Sequence, residues 1–235
     1  MKMYPEWQFD EMKQVGTDYT DFDTVLAYDE RMRKLRDIKR ETAEIISWTG
    51  LSKEQTLLEL GSGTGEFALE AAKHCARVIA VDVSLPMLEL ARSKALEKGL
   101  ENIEFHHAGF LTYLPSGKPP HVVVSQLALH HLPDFWKAVA LQRIYNVLMP
   151  SGKLFLRDTV YSFKTSDYES FFSNWVLDVN EKAGPETSRD LLLAICEEYT
   201  TLSWVMEGLL ARVGFQIEKS EYRNGFLALY LCKKV

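Results

Sequence analysis

Thr56-Leu57-Leu58-Glu59-Leu60-Gly61-Ser62-Gly63-Thr64-Gly65-Glu66-Phe67 is the stretch from which the rest of the chain can be read. A short buried strand runs into a turn with glycine at every second position, and a helical stretch, Glu66 to His74, follows. Glycine lets the backbone turn tightly and approach a ligand with no Cβ in between. The helix then offers unpaired N–H groups and the positive end of its dipole. Strand, Gly-rich turn and helix in that order form a ligand cradle at the carboxyl end of a parallel sheet.

The spacing separates two ligand classes. In the dinucleotide fingerprint GxGxxG, counted from Gly61, the third glycine falls on Glu66, where a carboxylate would face a pyrophosphate. An NAD(P)-dependent oxidoreductase is therefore the weaker reading. Glu59, on the strand before the turn, suits a ligand carrying an ammonium group. Asp82, ending the second strand Arg77–Val81, is placed to accept hydrogen bonds from a ribose diol.

Outward from the turn, strands and helices alternate. Ser84 is an N-cap for a helix to about Lys98, with Pro86 tolerated in its first turn and Gly99 closing it. Residues 103–106, 121–125 and 153–157 are further strands, and 133–147 is helical. Such alternation implies a parallel sheet with helices on both faces. From 162 to about 213 the chain reads as helical, broken at Gly184-Pro185. Asn224-Gly225 between two strand-like runs predicts a closing antiparallel hairpin. Before the turn, Glu30 to Trp48 has helical spacing.

The composition is globular, with 46% hydrophobic and 26% charged residues. The net charge of -6 is concentrated: residues 1–30 hold eight acids and two bases, leaving 25 of each sign beyond. The acids of this arm interleave with aromatics, which points to a docked segment rather than a solvated tail. A neutral body with an acidic arm is a poor partner for nucleic acid. No apolar run approaches a membrane span, and no secretory leader is expected. Cys75, Cys196 and Cys232 are odd in number and widely spread, so reduced thiols in a cytoplasmic protein are expected.

ELGSGTGEF, VIAVDVSLPML, VVVSQLALHHLPD and LMPSGKLFLRD, in that order, resemble the successive motifs of class I S-adenosylmethionine-dependent methyltransferases. The resemblance covers roughly residues 25–160 and extends to the terminal hairpin. It implies an α/β fold: a Rossmann-like, doubly wound, seven-stranded sheet of order 3-2-1-4-5-7-6, strand 7 antiparallel, with a helical cap. The corresponding domains are 1–48 (arm and helix, a lid), 49–160 (cofactor-binding core), 161–213 (helical cap) and 214–235 (hairpin completing the sheet).

The resemblance also implies roles. Gly61, Gly63 and Gly65 would line the methionine part of S-adenosylmethionine, with Glu59 nearby, and Asp82 would hold the ribose. Val83 and Met87 would border the adenine, and Gln126 and Leu127 would face the sulfonium. Tyr19 and Tyr28 would cover the cofactor, or else staple the surface. Family members often carry an acid after the third strand for the adenine amino group. Gly109 stands there instead, which leaves adenine to backbone groups, Phe110 or apolar packing.

His130 is the candidate catalytic residue, as a general base near neutral pH. The alternative for it and for His131 is a helix cap or a ring packed under the cofactor. Tyr168, Phe171, Phe172 and Trp175 share one helical face, as cap core or as an acceptor-pocket wall. Trp204 has the same two readings, and Arg157 ends the fifth strand on the active edge. No Cys or carboxylate spacing completes a zinc set around the histidine pairs, so no metal is expected.

The resulting expectation is methyl transfer to a small-molecule acceptor, neutral or cationic, yielding S-adenosylhomocysteine, with no nucleic-acid or membrane partner. A non-catalytic S-adenosylmethionine-binding regulator or partner protein is the alternative. The acceptor, the atom methylated and the oligomeric state are left open.

Overall fold

The computed structural model describes residues 5–13, 15, 16, 19 and 21–235. Lys2 and Asp18, counted in the arm's charge, lie outside them.

The sheet follows the alternation of the sequence. Strands β1 (Thr56–Leu60), β2 (Arg77–Asp82), β3 (Ile103–His107), β4 (Val122–Gln126) and β5 (Lys153–Tyr161) pair in parallel in the order β3-β2-β1-β4-β5. Beyond β5 lie β8 (Leu227–Lys234) and β7 (Phe215–Arg223), joined antiparallel. A two-residue strand, β6 (Thr201–Leu202), adds to β5 off this path and shifts the numbering, so the order matches the expected one. Asn224 and Gly225 both have positive φ, 54° and 77°, as a tight primed hairpin turn requires.

Alternate residues of the central strands serve two cores, as expected of a sheet covered on both faces. Leu58, Leu60, Ile79, Val81 and Val123 face one core, shared with α5 (Asp134–Val147) and α7 (Ser203–Val213) through Leu141, Ile144, Met206 and Leu210. Leu57, Val78, Ala80, Val122, Val124 and Phe155 face the other. There they meet α2 (Ile38–Thr49) and α3 (Glu66–Ala71) through Ile45, Phe67 and Ala68.

The helix read over Glu30–Trp48 is two helices. α1 (Phe22–Leu35) ends before Asp37, whose side chain caps α2 by accepting from Arg40 N at 3.0 Å. An aspartate at that point satisfies an orphan N–H and restarts the helix, which apolar spacing alone conceals. α4 (Leu85–Glu97) starts at the expected Ser84 cap, which accepts from Met87 N. α6 (Tyr168–Glu197) kinks at Gly184, whose φ of 87° and ψ of 173° are not helical.

Candidate active site

The Gly-rich turn is fastened to β2: the amides of Gly61 and Ser62 both donate to Val81 O, at 2.8 and 3.0 Å. Gly61, Gly63 and Gly65 all have positive φ. A Cβ on Gly61 would lie 2.3 Å from the Ala128 Cβ, so glycine here admits the loop after β4. On Gly65 it would lie 2.9 Å from Ala91 Cβ, so that glycine brings α3 against α4.

Asp82 closes the turn from the side. Its Oδ2 accepts from Gly63 N at 2.7 Å and its Oδ1 from Ser84 N at 2.8 Å. Burial raises its pKa, against the pull of those amide bonds. Glu59 is buried and its Oε2 has no hydrogen-bond partner among the described residues. Burial first, then the charge of Asp82, push its carboxyl well above the usual range. A cation beside Glu59 would offset both its burial and the charge of Asp82.

A cavity of about 340 Å³ opens from the turn. Gly61, Gly63, Asp82, Val83, Met87, Gly109, Phe110, Gln126 and Leu127 line one end. Tyr19 and Tyr28 also line it, as an edge-to-face pair 5.6 Å apart. Glu59 lies in a smaller cleft behind the turn, which shares Tyr28, Met32, Gly61, Gly63 and Gln126 with the main cavity. Leu127 has a φ of 50°, rare for a branched side chain, and its N donates to Arg157 O at 2.7 Å. That turn swings the chain off β4 toward the cavity.

The acidic arm forms one wall. Glu11 accepts from Leu111 N and Thr112 N, both at 2.8 Å, and from the Thr112 hydroxyl. A Cβ on Gly109 would come within 2.4 Å of the Glu11 carboxyl carbon, so the arm's carboxylate fills the space a side chain at 109 would need. Further on, Gly16 is pressed against Glu198, where a Cβ would lie 2.4 Å from Oε1. The carbonyl of Tyr19 accepts from the Ser84 hydroxyl at 2.6 Å. α1 is docked by Asp29, which accepts from the Thr64 hydroxyl at 2.5 Å and pairs with Lys94. Arg31 of α1 pairs with Asp190 of α6 at 2.7 Å across the cavity, and both line it.

At the far end stand His130, His131 and Glu198. His130 Nδ1 bonds Asp158 Oδ1 at 2.5 Å, and its Nε2 is 3.3 Å from Glu198 Oε2. Burial alone would lower the His130 pKa, but the two carboxylates outweigh it and raise the pKa to about 10. His130 is thus at the cavity as expected but is not a free base at neutral pH: it is an imidazolium with both nitrogens engaged. The same bond and charge hold Glu198 below the ordinary carboxylate range, against its burial. Burial and the neighbouring His130 charge push His131 down to about 4, so it is neutral.

Several expected acceptor-side residues are elsewhere. Arg157 is buried on the opposite side of the sheet, paired with Glu41 of α2, because β5 alternates its side chains. The neighbouring Asp158 takes the cavity side. Of the aromatic face, Trp175 lines the cavity and stacks on Phe226 at 4.0 Å. Phe171 and Phe172 pack with Phe163 in a cluster under the hairpin, and Tyr168 is exposed. Trp204 is 68% exposed and off the cavity. Glu11, Arg31, Asp190 and Glu198 went unread. Nothing in their local sequence marks them, except that the bare Gly109 signalled something missing opposite.

Residues 57–152 match the family described as "Methyltransferase domain". Over 204 residues the chain is 28% identical to an uncharacterised methyltransferase of Geobacillus kaustophilus, covering 87% of each. Among solved structures it is similar to a SAM-dependent methyltransferase from Aquifex aeolicus, with a TM-score of 0.64 at 17% identity, covering 92% of this chain and 99% of that one. It is also similar in fold to magnesium protoporphyrin IX methyltransferase from Synechocystis with bound SAM, with a TM-score of 0.58 at 14% identity, covering 95% and 88%. Residues 57–152 thus carry a methyltransferase domain, and the ordered motifs and the sheet order of the chain are similar to those of class I S-adenosylmethionine-dependent methyltransferases.

Proposed function

We propose that the protein transfers a methyl group from S-adenosylmethionine to a small-molecule acceptor, neutral or cationic, and releases S-adenosylhomocysteine. The observation that carries this reading is the continuity of the cavity: the Gly-rich turn and Asp82 share one space with His130 and Glu198, under the arm and α6.

The donor-side residues fit the cofactor. The buried Oε2 of Glu59 lacks a partner among the described residues, and an ammonium group beside the turn would supply one. Asp82 would hold the ribose hydroxyls, and the apolar Val83, Met87 and Phe110 offer a slot for the base. Tyr19 and Tyr28 would cover it. When bound, the cofactor supplies a methyl group already activated on a positively charged sulfur. The chain's own work is then alignment and exclusion of water. Residues 1–48 and 161–213 serve as lid and cap around the 49–160 core, with 214–235 completing the sheet.

At the acceptor end His130 is a positioning group: its protonated ring donates to Asp158 and to Glu198. Glu198 is the ionised group left to meet the acceptor. Glu198 puts a carboxylate on the acceptor wall, which disfavours anionic acceptors.

Calorimetry with S-adenosylhomocysteine and with NAD tests the cofactor. Binding of the first and silence from the second is the expected result, and the reverse would sink the proposal. Turnover against panels of neutral, cationic and anionic acceptors then tests the acceptor class. A binder that turns over none of them would support the regulatory alternative.

A further inference from the structure

The two histidines after β4 sit in a short 3-10 turn, Leu129–His131, and not on a strand. That turn brings both rings to one side, 4.4 Å apart. Glu198, at the end of α6, meets them. His130 Nε2 is 3.3 Å from Glu198 Oε2, and His131 Nδ1 is 3.9 Å from Oε1. One atom from each of the three residues lies within 4.8 Å of the other two. In a tetrahedral zinc site with bonds of about 2.0–2.1 Å, ligand atoms are spaced by about 3.3–3.4 Å. The edge from His130 Nε2 to Glu198 Oε2 already has that spacing, and the other edges, within 4.8 Å, must shorten by up to about 1.4 Å to close that geometry.

Each ring also has a partner outside the cluster. His130 gives its Nδ1 to Asp158, and the His131 ring bonds the Val15 carbonyl. Metal-binding histidines nearly always have their second nitrogen fixed in this way by a carboxylate or a backbone carbonyl. Glu198 is fixed as well. Tyr199 N donates to His130 O at 2.9 Å, and the fully buried Lys137 bonds the Tyr199 carbonyl. Gly16 closes over the carboxylate from the arm. The cluster faces the cavity, so a coordination position remains open to a ligand there.

We propose that His130 Nε2, His131 Nδ1 and the Glu198 carboxylate bind a divalent transition-metal cation of the zinc type, with Asp158 and the Val15 carbonyl orienting the rings. Two imidazoles and one carboxylate favour such a cation over magnesium or calcium, which want oxygen ligands. Binding replaces the proton on His130 Nε2, which leaves to solvent. The open position then takes an oxygen or nitrogen donor of the acceptor. That last role rests on the methyl-transfer reading, and the cation site itself does not.

The test uses the full chain, freed of metal by dialysis against a chelator, then titrated calorimetrically with Zn²⁺ and spectroscopically with Co²⁺. One equivalent of Zn²⁺, and visible Co²⁺ bands of four- or five-coordination, are expected. His131→Ala and Glu198→Gln should each weaken Zn²⁺ at least 10-fold, and Asp158→Asn by about 10- to 100-fold. A wild-type circular dichroism spectrum and a cooperative unfolding transition report that each variant is folded. Folded variants that keep wild-type Zn²⁺ affinity would place the ion on surface histidines and overturn the proposal, as would no stoichiometric binding. Stoichiometric Zn²⁺ without S-adenosylhomocysteine binding supports the cation site and overturns only the cofactor reading.

Discussion

The two ends of the cavity are built in different ways. The floor of the donor end comes from one short run of sequence, Glu59 to Gly65, together with Asp82 at the tip of the neighbouring strand, and the other residues lining that end are added around it. Its geometry follows from backbone: three left-handed glycines, amides given to Val81 O, and a carboxylate accepting from Gly63 and Ser84. The acceptor end is assembled from residues far apart in the chain: Gly16 in the arm, Arg31 in α1, His130 after β4, Asp158 in β5, Asp190 in α6 and Glu198 at its C-cap. A local backbone motif keeps its form whatever surrounds it. An end made by convergence depends on every element reaching its place.

The largest effect expected from this contrast concerns Arg157, which the sequence places at the acceptor end and the fold places on the other face. Arg157→Ala leaves Glu41 with Arg36 as its remaining partner and opens a buried site. Breaking one member of a buried pair costs about 3 kcal/mol or more. Denaturant unfolding should show that loss, while the KM for the acceptor stays at its wild-type value. A raised KM with unchanged stability would return Arg157 to the acceptor end and break the division.

The next effect isolates the donor end. Asp82→Ala removes a buried carboxylate that would hold a ribose diol, and charged hydrogen bonds of this kind are worth about 1.5–3 kcal/mol. The dissociation constant for S-adenosylhomocysteine should rise about 100-fold, equivalent to about 2.7 kcal/mol. A change below threefold would mean that the diol is held elsewhere.

The donor end was legible because its chemistry is tied to unusual backbone. A run of alternating glycines after an apolar strand has few other uses, and Asp82 ends the next strand. The closing hairpin was legible for the same reason, through Asn224-Gly225, whereas the order of the strands followed from the resemblance of the motifs and not from any turn. The acceptor end was not. Tyr168, Phe171, Phe172 and Trp175 share a helical face, yet only Trp175 reaches the cavity, since the others lie toward the hairpin or solvent. Arg157 and Asp158 are neighbours on a strand, and spacing alone does not say which faces the cofactor. The cation-type cluster was hidden because its carboxylate arrives on α6, beyond the kink at Gly184.

A smaller effect sharpens the role of the arm. Gly109 is not in the left-handed region, so alanine is tolerated by its backbone, but the new Cβ meets the Glu11 carboxylate. Overpacking of this kind costs about 1–2 kcal/mol. Gly109→Ala should therefore loosen the arm, read as faster proteolysis before residue 22 and weaker S-adenosylhomocysteine binding. If Glu11→Ala in the same chain does not relieve the crowding, the arm is held by other contacts. The smallest effect is at Trp204: Trp204→Ser, on an exposed site off the cavity, should change stability by no more than about 0.5 kcal/mol and leave kcat/KM as it was.

Two glycine–carboxylate contacts join the arm to the body, with the roles exchanged between them. At one the arm brings Glu11 and the body leaves room with Gly109; at the other the arm leaves room with Gly16 and the body brings Glu198. Each pair is a constraint on inheritance. A side chain gained at 109 requires a shorter residue at 11, and a Cβ gained at 16 requires a retreat at 198. Related sequences should therefore change these positions two at a time, and the pairing of 11 with 109 should be visible as covariation even where the rest of the arm has drifted.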